Sequence, residues 1–154
     1  MRVNERSAIR LTDSECAEVM ADSTKLQLAT INPDGTPHLV TMYYALVDGR
    51  VAFWTYRASQ KARNLERDPR LTCLVETGDG YFELRGVQIV GVAEPVDDPT
   101  EVAAIGAAVA ARSLNLPAEH REEYVARAAR KRRGYLVQPT RTASWDHRKL
   151  TGAF

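Results

Sequence analysis

The feature that most constrains the fold is the pair Asp48-Gly49, which separates two runs of strand-forming residues. PHLVTMYYALV (37–47) precedes the pair, and RVAFWTY (50–56) follows it. A two-residue Asp-Gly connection is typical of a β-hairpin, because glycine tolerates the positive φ angles of a type I′ turn. The pair therefore predicts two antiparallel strands joined by a tight turn.

The run 37–47 is apolar at nearly every position. A strand with one face in water would alternate apolar and polar residues, whereas a continuous apolar run indicates that both faces are covered. We therefore expect one face of this strand to lie in the core of a barrel. The other face would pack against a helix or a partner subunit.

Two further hairpins follow from similar patterns. The turn NPDG (32–35) joins another strand to the run 37–47, and the turn TGDG (77–80) joins two later strands. Gly86 and Gly91 interrupt the long second arm of the later hairpin and predict a bulge or a bend there. In all, six strands are predicted, over residues 25–31, 37–47, 50–56, 70–76, 81–96 and 134–140.

Helices are predicted between these strands, over residues 12–22, 59–67, 101–112 and 117–133. The first begins with the spacing of a capping box, in which the Thr12 hydroxyl and the Glu15 carboxylate each accept from the other residue's backbone N–H. The last carries glutamates in its first turns and arginines in its last turns, which complements the helix dipole, and we expect it to end at Gly134. Helices inserted irregularly among hairpins favour a mainly β fold, a six-stranded antiparallel barrel with flanking helices in one domain spanning residues 1–154.

Composition excludes several classes of protein. The 21 Lys and Arg residues are balanced by 20 Asp and Glu residues, so the chain lacks the basic surplus that neutralises nucleic-acid phosphates. No apolar run approaches the roughly 18 residues of a membrane span, and the N-terminus has no apolar signal segment, so we expect a cytoplasmic protein. The two cysteines and three histidines lack the spacing of a metal site.

The segment 53–65 is the strongest candidate for a functional site, since a strand, a short loop and a helix N-terminus follow one another there. Free backbone N–H groups and the positive end of a helix dipole attract anions at such a point. Thr55 and Ser59 add hydroxyls, and Lys61 adds a cation, with Arg63 as a further candidate, so the segment suits one phosphate. The alternative is that Ser59 only caps the helix and that Lys61 and Arg63 are solvated.

The sequence WTYRASQKARNLERDPR (54–70) resembles the phosphate-binding segment of the split-barrel flavin-binding proteins. That superfamily includes the pyridoxamine 5′-phosphate oxidases and the deazaflavin-dependent oxidoreductases of actinobacteria. The resemblance extends to DGTPHLVTMYY (34–44), DGRVAFWT (48–55) and SWDHRKL (144–150), and it covers about residues 10–150. It implies an FMN-binding split barrel that forms a homodimer, with the cofactor in the groove between the two barrels.

The resemblance also implies which residues would bind the cofactor. Its phosphate would meet Ser59, Gln60 and Lys61. Its ribityl chain would lie beside Trp54 and Thr55. Its ring would lie, partly against backbone groups, along Val40, Thr41, Met42 and Tyr43. Trp145, near the C-terminus, would close the site from the other subunit.

Two departures from the family pattern argue against oxidation of pyridoxamine phosphate itself. The ring-contacting strand begins with Pro37-His38-Leu39, where the oxidase branch usually has arginines. The segment His147-Arg148-Lys149-Leu150 matches the Arg-Leu motif of that branch only loosely. By contrast, Lys-Ala-Arg-Asn-Leu followed by Asp-Pro-Arg (61–70) is similar to the branch that uses coenzyme F420, a 5-deazaflavin.

Three functions remain open on this basis. The first is an oxidoreductase that transfers a hydride from reduced F420 to a small electrophilic substrate, and the second is an FMN-dependent oxidoreductase. The third is a non-catalytic protein that binds a flavin, F420 or haem. The chain contains no GxSxG, HExxH or P-loop motif, so no catalytic side chain or proton donor is assigned. The arginines of the cluster 127–133 either complete a helix C-terminus or attract the polyglutamate tail of F420.

Overall fold

A computed structural model describes residues 4–150, which form one curled antiparallel sheet with flanking helices. The helices are α1 (Glu5–Ala8), α2 (Asp13–Asp22), α3 (Gln60–Arg67), α4 (Pro99–Ser113) and α5 (Ala118–Ala129). The strands are β1 (Lys25–Ile31), β2 (Pro37–Tyr43), β3 (Ala45–Val47), β4 (Arg50–Tyr56), β5 (Arg70–Thr77), β6 (Arg85–Val96) and β7 (Arg132–Asp146). The mainly β fold with flanking helices is therefore confirmed, with seven strands where six were predicted.

The order of the strands explains why the sheet curls. It runs β2-β1-β5-β6-β7-β4-β3, so the two edge strands, β2 and β3, are consecutive in the chain and separated by Tyr44 alone. The chain thus passes directly from one edge of the sheet to the other. Val40 and Met42 from one edge and Leu46 from the other pack against the same buried cluster, which fills the barrel.

The additional strand arises because the run 37–47 breaks at Tyr44. This side chain is fully buried, and its hydroxyl donates to the carbonyl oxygen of Met20 at 2.6 Å. Within residues 4–150 no helix covers the outer face of β2, so the expected second covering would have to come from a partner subunit, which stays a prediction. Leu39 and Tyr43 are 65% and 49% exposed on the outer face of β2, while Met42 packs inward.

Local sequence signals are confirmed at two helix starts and one turn. The Thr12 backbone N–H donates to Glu15 Oε2 at 2.7 Å, and the Glu15 N–H donates to Thr12 Oγ1 at 3.2 Å, which completes the capping box of α2. Ser59 caps α3 by accepting from a backbone N–H of its first turn. Asp48 and Gly49 adopt φ angles of 51° and 76°, as a type I′ turn requires.

Other boundaries differ from the prediction. The long arm 81–96 begins as a strand only at Arg85, because Tyr81–Glu83 forms a 3₁₀ helical turn. The β6–β7 register shifts between Val90 and Gly91, so an irregularity lies at the predicted glycine, but the extra residue is Thr140 of β7 and not a residue of the arm itself.

The last predicted helix and strand also shift. Helix α5 ends at Ala129, and Gly134 is not its stop, because it lies in β7 opposite Trp54. Arg132 and Arg133 belong to β7 as well, since pairing with β4 overrides the helical pattern of the sequence.

A second hydrophobic cluster lies outside the barrel. It joins Ala45, Ala52 and Trp54 of β3 and β4 to the buried residues of α4 and α5. These helices therefore cover one part of the outer face of the sheet. No helix within residues 4–150 is long and apolar enough to cross a membrane.

Candidate functional site

A cavity of about 300 Å³ opens on the outer side of the barrel, between β2, β4 and the helices α4 and α5. Six of the ten residues that the resemblance implied line it, namely Thr41, Met42, Tyr43, Trp54, Thr55 and Lys61. The segment of β2 and the segment at the end of β4 are distant in sequence. The fold thus brings the expected ring-binding and phosphate-binding segments to one cavity.

Three of the remaining residues lie close by but do not line the cavity. Ser59 Oγ lies 3.3 Å from the Thr55 hydroxyl, and it accepts from the Ala62 N–H at 3.2 Å. Gln60 is exposed, and its amide nitrogen donates to Asn64 Oδ1 at 2.8 Å. Val40 packs its side chain into the barrel, so only its backbone faces this region.

Trp145 lies elsewhere in the chain. It pairs with Gly86 across β6 and β7, and a Cβ at Gly86 would come within 2.2 Å of the indole ring. Gly134, the residue opposite Trp54, is roughly 35 Å away along β7. Trp145 therefore does not reach the cavity of its own chain, and its place in the site of a partner stays a prediction.

Helix α3 is held firmly beneath the site by Asn64. This side chain is fully buried, and its amide nitrogen donates to Thr30 Oγ1 at 3.1 Å and to Asn32 Oδ1 at 3.0 Å. These bonds tie α3 to β1 and to the turn that follows it. Lys61, on the first turn of α3, is thus carried by a fixed support. The sequence motif contained Asn64, but nothing in its spacing indicated this role.

Lys61 places a positive charge in a half-buried position. Burial lowers the pKa of its ammonium group below the usual 10.5, and the nearby charge of Arg132 lowers it further. Within residues 4–150, no carboxylate lines the cavity and none forms a salt bridge with Lys61. An anion that entered the cavity would relieve both unfavourable effects.

Arg132 lines the same cavity, whereas the sequence offered it only within the cluster 127–133, as part of a helix end or as a contact for the polyglutamate tail. Its guanidinium carbon lies 4.7 Å from the ring centroid of Trp54 and 4.3 Å from that of Tyr56. The sequence assigned Arg132 to the end of a helix. No local signal placed it beside Trp54, because its position depends on the long-range pairing of β7 with β4.

The helical wall of the cavity was also missed. It consists of Val109, Ala110, Ser113, Leu114 and Tyr124. Gly106 of α4 allows this wall to approach β4, since a Cβ there would lie 2.3 Å from the Trp54 ring. The wall therefore presents an apolar surface next to the cationic end of the cavity.

This arrangement suits an elongated ligand with an apolar part and an anionic end. Trp54 and the helical wall offer apolar contact, while Lys61 and the hydroxyl of Thr55 offer donors. Among the described residues, no group of three or more His, Cys, Asp or Glu side chains is arranged to hold a metal ion. Of residues 4–150, no histidine, cysteine or carboxylate lines the cavity to act as a nucleophile or general base.

Residues 12–146 match the family described as pyridoxamine 5′-phosphate oxidase. No curated protein matches the chain. The fold is similar to that of a conserved hypothetical protein from Mycobacterium tuberculosis, with 43% identity, a TM-score of 0.88, and coverage of 94% of this chain and 91% of that one.

Two other solved structures have a similar fold. A structure described as an F420 reductase is 25% identical, with a TM-score of 0.62 and coverage of 82% of this chain and 94% of that one. The haem storage protein HutZ from Vibrio cholerae is 17% identical, with a TM-score of 0.69 and coverage of 87% and 96%, so it shares the fold alone.

Proposed function

Because this chain belongs to the pyridoxamine 5′-phosphate oxidase family, we propose that it is an oxidoreductase using coenzyme F420. It would transfer a hydride from the reduced cofactor to a small electrophilic substrate. Similarity to the F420 reductase supports this cofactor. FMN on the same scaffold is the second candidate, since the cavity offers one anion site beside an apolar wall, as either cofactor needs.

The observation that carries the proposal is the position of Lys61. Its ammonium lies half-buried in a cavity without a carboxylate, at the first turn of a helix whose N-cap is Ser59. Backbone N–H groups and the helix dipole add to its attraction for a phosphate. The residues present therefore fit the phosphate end of a flavin or deazaflavin nucleotide.

The protein's own contribution to the reaction is binding, orientation and exclusion of water. The cofactor, when bound, supplies the hydride chemistry. Lys61 and Thr55 would fix the phosphate end, and Trp54 with the wall of α4 would keep water from one side. Thr41 and Tyr43 of β2 would border the other part of the ligand. Their outer face is open in the single chain, which leaves room for substrate or for a partner.

A homodimer is part of this proposal. The exposed outer face of β2 would pack against a second copy, which would cover Leu39 and Tyr43. Trp145 also lies on the outer face, beyond the part that the helices cover, and would complete the site of the partner. Burial of such apolar side chains is a main source of free energy in subunit association.

The fold places the basic residues of the cluster 127–133 in different surroundings. Their positions indicate which of them could contact the polyglutamate tail of F420. Arg127 and Lys131 line a second cavity of about 270 Å³, which shares Tyr56, Tyr124 and Arg132 with the first. Arg133 does not line it, because its guanidinium is paired with Asp97. Arg127 and Lys131 are therefore the residues of the cluster that we expect to attract the tail.

The double variant Arg127→Glu/Lys131→Glu tests this tail contact. It should weaken F420, and the loss should shrink as salt is added, because salt screens exposed charges. FMN, which has no such tail, serves as the control ligand and should bind the variant as before. Equal affinity of wild type and variant for F420 at low salt would remove the tail contact from the proposal.

Titration of the purified protein with F420, FMN and haem tests the function itself. Saturable F420 binding, followed by oxidation of reduced F420 in the presence of electrophilic acceptors, is the expected result. Tight FMN binding with turnover would favour the second candidate. A Soret band with no flavin or F420 binding would make the protein a haem binder, and the oxidoreductase proposal would be wrong.

A further inference from the structure

We propose that Arg132 is a second cationic ligand for the phosphate ester that Lys61 binds, and that Trp54 and Tyr56 hold its guanidinium ready for that role. This inference rests on the proposed function, in that the phosphate would be that of the cofactor. The sequence offered Arg132 only as part of a helix end or as a contact for the polyglutamate tail, and neither the family pattern nor the position of α3 places it at the phosphate. The pairing of β7 with β4 places its side chain beside the cavity.

Arg132 is the first residue of β7 and lies directly opposite Tyr56 of β4. Trp54 precedes Tyr56 by two residues, so both rings project on the same face of β4. The Arg132 guanidinium contacts both rings, at 4.7 Å and 4.3 Å from their centroids. Cation–π attraction of this kind orients the group without neutralising its charge.

The hydrogen-bonding groups of Arg132 are unused. Its Nε is buried and has no partner, and within residues 4–150 its terminal N–H groups form neither a hydrogen bond nor a salt bridge. The buried, unpaired Nε carries a cost in free energy, while the terminal N–H groups are not buried and remain free to donate to a ligand. The guanidinium lines the cavity next to Lys61, where a ligand would meet them.

The surrounding charges all favour an anion. Lys61 and Arg132 are the cations of the cavity, and the other titratable groups that line it are Tyr43, Tyr56 and Tyr124. The adjoining cavity adds Arg127 and Lys131. No carboxylate lines either cavity among the described residues, so the repulsion between Lys61 and Arg132 is not compensated within them.

The neighbouring Arg133, unlike Arg132, has its hydrogen-bond partners within the protein. Its Nε and terminal nitrogen donate to the two carboxylate oxygens of Asp97, at 2.7 Å and 2.8 Å, and it lines neither cavity. Arg132 and Arg133 are thus adjacent cations of the same type, one satisfied by the protein and one left for a ligand. A guanidinium suits a phosphate, because its planar donors match two phosphate oxygens.

Titration with inorganic phosphate, with and without F420 or FMN, tests the inference in three variants. Arg132→Gln removes the charge, Arg132→Lys keeps the charge without the planar donors, and Arg133→Gln is the matched control. We expect Arg132→Gln to weaken phosphate by about tenfold or more, the effect of losing one charge-assisted hydrogen bond. Arg132→Lys should recover part of the loss, and Arg133→Gln should bind like the wild type.

The pKa of Lys61, followed by NMR of labelled lysine without phosphate, provides a second readout. It should rise in Arg132→Gln, because a like charge has been removed, and stay unchanged in Arg133→Gln. A merely structural Arg132 would not produce this pattern in a folded variant. If Arg132→Gln does not fold, the same comparison between Arg132→Lys and the wild type for phosphate affinity decides the matter.

The inference is overturned if the wild type binds no inorganic phosphate, or if Arg132→Gln and Arg132→Lys both bind it as tightly as the wild type. It is also overturned if Arg133→Gln loses as much affinity as Arg132→Gln. Failure of the proposed function would look different. Phosphate binding that depends on Arg132, in a protein that binds neither F420 nor FMN, would retain the anion site and reject the oxidoreductase.

Discussion

The outer face of the sheet has two halves that meet different surroundings. Over β3 and β4, the small side chains of Ala45 and Ala52 and the indole of Trp54 pack beneath α4 and α5. Over β2, β1, β5 and β6, no helix covers the outer face of the described chain, and Leu39 stands largely exposed. The cavity lies at the border between the covered half and the open half.

The open half of the outer face is not uniformly polar. Leu39, Ala29, Thr72 and Val90 are aligned by strand register across four neighbouring strands, so their side chains share one face. This row explains why the run 37–47 reads as apolar throughout. Its inward residues Val40 and Met42 fill the barrel, and its outward residue Leu39 belongs to this row, which a second copy would cover in the proposed homodimer.

The largest expected effect is a loss of stability from a substitution in the covered half of the outer face. Trp54→Ala should reduce the free energy of unfolding by about 3–5 kcal/mol, because it removes a large buried side chain and leaves a cavity under α4. Trp145→Ala is the matched change on the open half, and its loss should be clearly smaller. Denaturant unfolding of both variants measures this, and equal losses would contradict the distinction between the halves.

The second-largest effect is a loss of cofactor affinity at the cavity, which lies at the border between the two halves. Lys61→Ala should weaken F420 or FMN by roughly 1.5–3 kcal/mol, since a charge-assisted contact with phosphate is lost. Stability should change little, because Lys61 forms no salt bridge within residues 4–150. Arg63→Ala, an exposed cation on the same helix, provides the control. Isothermal titration would reject the role of Lys61 if both variants bind the cofactor equally well.

A smaller effect is expected on the open half. Leu39→Asp should raise the dissociation constant of the proposed homodimer by at least about tenfold, because an apolar contact becomes a buried charge near its symmetry mate. Leu116→Asp changes another exposed leucine, between α4 and α5, and should leave association intact. Analytical ultracentrifugation distinguishes the two. A monomeric wild type, or a Leu39→Asp variant that dimerises normally, would refute the assignment of this face.

The smallest expected effect is a dependence of the cavity's anion affinity on pH. Lys61 binds an anion as an ammonium, and its pKa is lowered by burial and by Arg132. Anion affinity should therefore hold at neutral pH and decline in alkaline solution before the usual lysine pKa of 10.5 is reached. Anion binding raises that pKa again, so protons are taken up on binding in this range. Phosphate titrations in two buffers of different protonation enthalpy would detect the uptake.

The sequence predicted those features that depend on neighbours in the chain. The capping box of Thr12 and Glu15, the Ser59 N-cap and the turn at Asp48-Gly49 all follow from local hydrogen bonds, and all are confirmed. The resemblance to a known family then pointed to the segments that line the cavity. Both sources use information that a short stretch of residues contains.

The missed features depend on contacts between distant segments. Arg132 continues a helical pattern in the sequence, yet its pairing with Tyr56 draws it into a strand. The break at Tyr44 is equally hidden, because an unbroken apolar run gives no sign of where the chain changes edges. Gly106 was read only as part of an alanine-rich helix, and its contact with Trp54 appears only once α4 is packed on β4.

The buried Tyr44 has a consequence for how accurately the cavity is built. Since a single residue joins the two edges of the sheet, a slip of β2 by one position would have to be matched by β3 on the opposite side. Such a slip would also turn Thr41 and Tyr43 into the barrel and Met42 out of it. Tyr44 thus fixes the register of both edge strands. It therefore also determines that Thr41 and Tyr43 of β2 point towards the ligand cavity and not into the barrel.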